Sequence, residues 1–338
     1  MPTTFAVLGD GAWGTALAIL LARDADHRVR LWSARAESGR RLQERRENVK
    51  LLPGVPIPEG VLLTTDVREA VAAADVWVSA IPTVHLRPTL TRVRSELGER
   101  LDVPPVVSVT KGIEAGTFRR PSEVLAEAIG AGQVAVLSGP SHAEEVSRGL
   151  PCSVVAAASD YELARRIQRH FQGDRFRVYT NLDPIGVELG GALKNVIGIA
   201  AGACEGLGYG DNALSALITR GLAEMTRFGV ALGADAATFA GLAGLGDLIT
   251  TCVSKHGRNR AVGHRLARGE TLDDILGGMT MVAEGVTTAR AVHERAARMG
   301  IDMPITAAVY RVLYEKLPPR DAVQELMLRS PKGERWPS

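Results

Sequence analysis

Along the first half of the chain, short apolar runs recur at intervals that leave room for a helix between most neighbours. The runs FAVLG, RVRLW, VWVSAI, PVVSVT, VAVLSG, CSVVAAA and FRVYT, spread from residue 4 to about 180, are the strand candidates. Strands alternating with helical stretches predict a parallel sheet, and right-handed crossovers make it doubly wound. Several runs are apolar on both parities, as strands covered by helices on two faces must be. After TNLDPIG the strand pattern stops. From about residue 184 to 205, from 212 to 232, and in shorter stretches up to 328, the chain reads as helices punctuated by glycine. A doubly wound sheet over residues 1–182 and an all-helical domain over 183–338 are therefore expected. No long polar linker separates them, so they should meet closely around a cleft. The closing SPKGERWPS reads as a loose tail.

Length agrees with this division, because 338 residues exceed what one core usually serves. The 40 basic and 38 acidic residues are spread along the chain and leave a net charge of +2. No field of one sign favours nucleic acid or a membrane surface, while a small anionic ligand remains compatible. Three separated cysteines, Cys152, Cys204 and Cys252, suggest neither a disulfide framework nor a paired-cysteine metal site, and a reducing cytoplasm is expected. His142, His256 and the other histidines lack metal-ligand spacing, so no catalytic metal is expected. MPTTFAVLG enters a strand pattern at once, without a basic and then apolar leader, and no later stretch reads as an uninterrupted membrane span.

The segment VLGDGAWGTALA sets Gly9, Gly11 and Gly14 in G-x-G-x-x-G spacing between the first strand and the first helix. Gly9 suits the tight turn, Gly11 the close approach of a pyrophosphate and Gly14 the contact of helix with sheet. Helix-start amides then meet the phosphate charge. The fold class expected is α/β, an N-terminal Rossmann-like doubly wound sheet followed by an all-helical C-terminal domain. The end of the second strand, RVRLWSAR, has no acid for a ribose hydroxyl. It offers Ser33 and Arg35, and an arginine there accommodates a 2′-phosphate; Arg35 as a solvated helix-start residue is the plainer alternative.

Lys111 follows the strand PVVSVT, where ligands of open α/β sheets collect. In LSGPSHAEE, Gly139 and Pro140 form a turn before Ser141, whose neighbouring amides can hold an anion; Ser141 as a helix cap boxed by Glu144 fits equally. Lys194 stands among small apolar residues at the start of the helical half. Burial would lower its pKa and let it exchange a proton with a substrate oxygen, unless its head snorkels out to water. Asp247 is an isolated carboxylate in a glycine-rich stretch, suited to orient Lys194 or to cap a helix over 248–252. Lys255, Arg258, Asn259 and Arg260 precede a helical run and suit a phosphate, or form a solvated face. Glu284 reaches a ribose or merely begins the next helix. A nicotinamide, a proton donor and a charge clamp are what hydride transfer needs.

Taken together, GDGAWGTALA, SVTKGIE, LSGPSHAEEV, VELGGALKNVIGIAAG, GLAGLGDLITTC, GRNR and VAEGVTTA resemble, in order and nearly end to end, the bacterial-type NAD(P)-dependent glycerol-3-phosphate dehydrogenases. The resemblance implies interconversion of dihydroxyacetone phosphate and sn-glycerol 3-phosphate, supplying the latter for phospholipid synthesis, with NADP or NAD as cofactor. It makes Lys194 the proton acceptor and donor, and surrounds the substrate with Lys111, Gly139, Ser141, Asp247, Gly257, Arg258 and Asn259. It carries cofactor contacts to Ala12, Trp13, Arg35, Lys111, Ala143, Arg258, Val282 and Glu284, beside the glycines of the loop.

Two positions depart from the family pattern. Asp10 replaces a small apolar residue and disfavours a nearby anion, and Gly257 replaces a serine, leaving only its amide to donate to a phosphate. The rivals are another two-domain hydroxyacid dehydrogenase, against which KHGRNR and GLGDL speak, and a dinucleotide sensor without turnover, for which Lys194 and Asp247 would be needless buried charges. The apolar helices of the second half serve equally as core or as a homodimer interface.

Overall fold

The computed structural model describes residues 2–98, 101–255, 257–331 and 333–334. His256 and five of the nine tail residues lie outside them. Eight strands form one sheet: β1 (Thr3–Leu8), β2 (His27–Trp32), β3 (Val61–Thr64), β4 (Val76–Ser79), β5 (Val106–Ser108), β6 (Val134–Ser138), β7 (Cys152–Ala157) and β8 (Phe176–Asn181). Their order is β3-β2-β1-β4-β5-β6-β7-β8. Alternate residues of β1 feed opposite faces. Phe5 and Val7 join a core with the helix Ala12–Leu21, and Ala6 and Leu8 join another with Leu86 and Leu90.

Two features depart from the sequence reading. The run VLLT adds β3 at the sheet edge, where Leu62 is 41% exposed and the apolar signal is short. The sheet is also not wholly parallel, because β7 pairs with β6 antiparallel. Between them lies only the five-residue helix Ala143–Ser147. The whole connection, residues 139–151, is near the dozen-residue minimum of a crossover between parallel neighbours, and β7 runs back instead.

The helical half is built on Pro184–Gly206, opened by Pro184 in its first turn and by Asp183, whose carboxylate accepts from the Gly186 amide at 2.8 Å. Along one i, i+4 ridge that winds around the helix stand Gly186, Gly190, Lys194, Gly198, Gly202 and Gly206. Gly190, Gly202 and Gly206 admit neighbouring backbone, and Gly186 and Gly198 admit close side chains. A Cβ on Gly190 would stand 2.7 Å from the Ala243 carbonyl oxygen, and one on Gly202 would stand 1.9 Å from that of Arg260. From the facing helix Arg258–Ala267, a Cβ on Gly263 would stand 1.8 Å from the Ile199 oxygen. A π-helical turn, Leu242–Gly246, runs into Asp247–Val253 and lies against the Gly190 end of the stripe.

The helices Pro184–Gly206 and Ala236–Val253 do reach the length and apolarity of a bilayer span, although the glycine-broken sequence did not read that way. The first is 89% buried, and both serve the core described here.

Gly202→Ala should therefore lower stability by about 1–3 kcal/mol or more through overpacking of two backbones. Urea denaturation checks this, and an unchanged midpoint would contradict the close approach.

Candidate active site

The loop after β1 has the shape a dinucleotide pyrophosphate requires. Gly9 adopts φ +118°, which favours glycine, and its amide donates to the Trp32 oxygen at 3.1 Å, tying the turn to β2. A Cβ on Gly14 would sit 1.9 Å from the Gly9 oxygen. Gly11 caps Ala12–Leu21 without a side-chain bond, and no atom lies within 4 Å of where its Cβ would be. Open space thus faces the first-turn amides of Ala12 and Trp13, which an anion can fill. These residues fit the cofactor. Arg35 holds the cap position of Ala36–Arg45 and is exposed.

The second centre lies beyond the ends of β5 and β6. Lys111, three residues after β5, places Nζ 2.7 Å from Asp247 Oδ2 and donates to the Gly139 oxygen at 2.8 Å. Lys194 Nζ lies 3.0 Å from Asp247 Oδ1 and donates to Thr251 Oγ1 at 2.6 Å. One carboxylate, 2% exposed, thereby bridges two ammonium groups, one from each half of the chain. Lys194 is 8% exposed; burial is the main cause lowering its pKa to about 8, opposed by Asp247 and assisted by Lys111. Gly139, at φ +137°, could not carry a Cβ without meeting Val154 at 3.1 Å.

The structure sorts the remaining sequence candidates among the alternatives open to them. Ser141 neither caps Ala143–Ser147, whose cap is His142, nor forms a box with Glu144; its hydroxyl donates to the Gly139 oxygen at 2.9 Å. Asp247 continues a helix whose cap is Gly246, and its oxygens go to the lysines. Gly257 caps Arg258–Ala267, but its amide already donates to the Ser254 oxygen at 3.3 Å, so the donation foreseen for a phosphate is committed elsewhere. Asn259 gives its side chain to Asn195 Oδ1 and receives the Gly285 amide, both at 2.9 Å. What its segment offers outward is the helix start at Arg258 and Asn259. The Arg258 guanidinium donates to the Val282 oxygen at 2.9 Å. Glu284 begins Glu284–Met299, and its carboxylate accepts the Thr83 amide at 2.8 Å, capping Thr83–Leu97. Burial raises the Glu284 pKa despite that bond. Ala143 is buried at the start of its short helix.

Sequence reasoning missed Thr251 and Asn195. Thr251 lies one turn after Asp247, so the same helix face brings both to Lys194. Asn195 donates to the Lys111 and Gly191 oxygens, each at 3.2 Å, and links Lys111 to Asn259. Their signal was spacing: four residues after one candidate, and next to another.

Comparison with known proteins follows this geometry. Residues 4–164 match the family model described as NAD-dependent glycerol-3-phosphate dehydrogenase N-terminus, and residues 183–324 match the C-terminus model of the same name. The chain is similar to a glycerol-3-phosphate dehydrogenase (NAD(P)+) of Chlorobium phaeobacteroides, with 49% identity over 97% of this chain and 98% of that protein. Its similarity to the enzyme of the same name from Geobacillus thermodenitrificans is 52% over 97% and 95%. The crystal structure of glycerol-3-phosphate dehydrogenase from Coxiella burnetii superposes with a TM-score of 0.91 at 38% identity, covering 97% of this chain and 99% of that one.

The position of Lys194 has a consequence for stability. Its folded pKa, about 8, lies below the ordinary 10.5, so between those values the unfolded chain holds a proton that the folded chain has shed. Stability relative to Lys194→Met should rise by up to about 3 kcal/mol as pH climbs through that window. Urea denaturation of both proteins across it checks this, and a constant difference would contradict the burial of the amine.

Proposed function

We propose that this chain, which belongs to the NAD-dependent glycerol-3-phosphate dehydrogenase family, interconverts dihydroxyacetone phosphate and sn-glycerol 3-phosphate. Its proposed setting is the cytoplasm, where it supplies glycerol 3-phosphate for phospholipid synthesis. The observation that carries the reading is the Lys111–Asp247–Lys194 bridge beside a loop fitted to a dinucleotide.

In this reading residues 1–182 hold NAD or NADP, with Gly9, Gly11 and Gly14 shaping the turn and Ala12 and Trp13 meeting the pyrophosphate. The bound dinucleotide supplies hydride to the substrate C2 or takes it away. In reduction, the Lys194 ammonium gives its proton to the C2 oxygen as negative charge develops there, and becomes a neutral amine. In oxidation, the neutral amine takes the C2 hydroxyl proton. A pKa near 8 suits both directions, because both forms are well populated at about that pH. Asp247 aims Nζ, Lys111 adds positive charge close by, and Thr251 fixes the rotamer. The start of Arg258–Ala267, with the Arg258 guanidinium, receives the substrate phosphate.

Lys194→Ala should cut kcat by roughly 100-fold to 10,000-fold. The initial rate of nicotinamide oxidation with dihydroxyacetone phosphate measures it, and an unaltered rate in the folded variant would remove Lys194 from the acid-base role. Arg258→Ala should weaken dihydroxyacetone phosphate far more than unphosphorylated dihydroxyacetone in the same assay. Equal loss with both ketones would sink the clamp assignment.

A further inference from the structure

In NAD-binding sheets of this kind an acid near the end of the second strand receives the ribose 2′-hydroxyl. At the end of β2 this chain runs Trp32, Ser33, Ala34, Arg35. A carboxylate reaches that place from another segment. Asp10, between the first two glycines of the loop after β1, accepts the Ser33 hydroxyl on Oδ2 at 2.6 Å. Ser38, in the first turn of Ala36–Arg45, donates to the same oxygen. Asn48 fixes the backbone beneath, with Nδ2 2.8 Å from the Asp10 carbonyl oxygen and 2.9 Å from Thr15 Oγ1. Gly39 lets the helix start close over Ser33, since a Cβ there would stand 3.0 Å from the Ser33 Cβ.

The arrangement has a chemical polarity. A serine hydroxyl carries one proton, and both serines give theirs to Asp10, so neither retains a donor for a phosphate. Asp10 Oδ1 makes no hydrogen bond among the described residues, and the side chain is part-exposed. No ion pair joins a cation to Asp10 among the described residues. Arg92 stacks 5.4 Å over Trp32 and is paired with Glu96, while Arg35 is exposed to solvent screening.

We propose that Asp10 is the residue that sets cofactor specificity: it stands in for the missing acid of β2, accepts a ribose 2′-hydroxyl and repels a 2′-phosphate, so that NAD is preferred to NADP despite Arg35. The inference rests on the dinucleotide reading given under Proposed function. Like charges a few ångströms apart at a part-exposed site translate into discrimination of about tenfold or more.

Calorimetric titration of the full chain tests this with NADH, NADPH, 5′-AMP and adenosine 2′,5′-bisphosphate. The unaltered protein should bind NADH about tenfold or more tighter than NADPH. Asp10→Asn, which keeps the size and an acceptor oxygen, should tighten NADPH and the bisphosphate by about tenfold while changing NADH and 5′-AMP less. Asp10→Ala should shift the ratio the same way, and retained NADH binding shows that either variant is folded. Ratios unchanged in both variants, or an unaltered protein that prefers NADPH, would overturn the assignment while leaving the dinucleotide reading intact. Failure of the unaltered protein to bind any of the four would remove that reading and this inference with it.

Discussion

A buried carboxylate shared by two ammonium groups is the constraint on which the rest of this structure depends. Asp247 reaches Lys111 at 2.7 Å and Lys194 at 3.0 Å. One negative charge cannot neutralise two positive ones, and the imbalance sits where water is largely excluded. Part of it is relieved by the depressed pKa of Lys194, and the remainder is an electrostatic invitation to an anion or to an oxygen about to become one. Lys111 comes from the sheet half and the other two residues from the helical half, so the bridge also fixes the halves relative to each other. A second tie does the same away from the cleft: Glu188, on the long helix, accepts from Arg120 at 2.7 Å and from the Ser122 amide and hydroxyl at 2.8 and 2.6 Å.

The glycine register explains how a lysine comes to be buried there. Five of its six positions carry no side chain, so neighbouring segments close onto the helix along its length. At the remaining position the side chain must occupy a slot made by that closeness, facing Asp247 and Thr251. The close contact that stabilises the helical half also strips water from the amine, and desolvation is the leading cause of its lowered pKa. Packing and proton chemistry therefore share one origin in the sequence.

Much of this was readable before any coordinates. Apolar runs of five to seven residues betrayed seven strands, and the glycine loop, Lys111, Lys194 and Asp247 stood out because charge or glycine interrupted an apolar pattern. What escaped was set by length or by partners distant in sequence. VLLT at the sheet edge is too short and too exposed to register. The reversal of β7 depends on the reach of the connection, not on the strand's own pattern. Thr251 and Asn195 are ordinary polar residues until the fold sets them against the lysines. Nor can sequence show that Asn259 and the Gly257 amide, read as phosphate candidates, engage Asn195, Gly285 and Ser254. Asp10 read as an obstacle to an anion, and sequence cannot show that Ser33 and Ser38 both donate to its carboxylate.

In the proposed function Asp247 poises Lys194 to exchange a proton near physiological pH. The most direct measurement is kcat/KM for glycerol 3-phosphate oxidation across about pH 6.5 to 9.5, in the unaltered protein and in Asp247→Asn. The unaltered protein should show a rise through about pH 8. In the variant the rise should move to lower pH, because the charge that favours the ammonium form is gone. A profile flat across that range, or the same midpoint in both proteins, would contradict it.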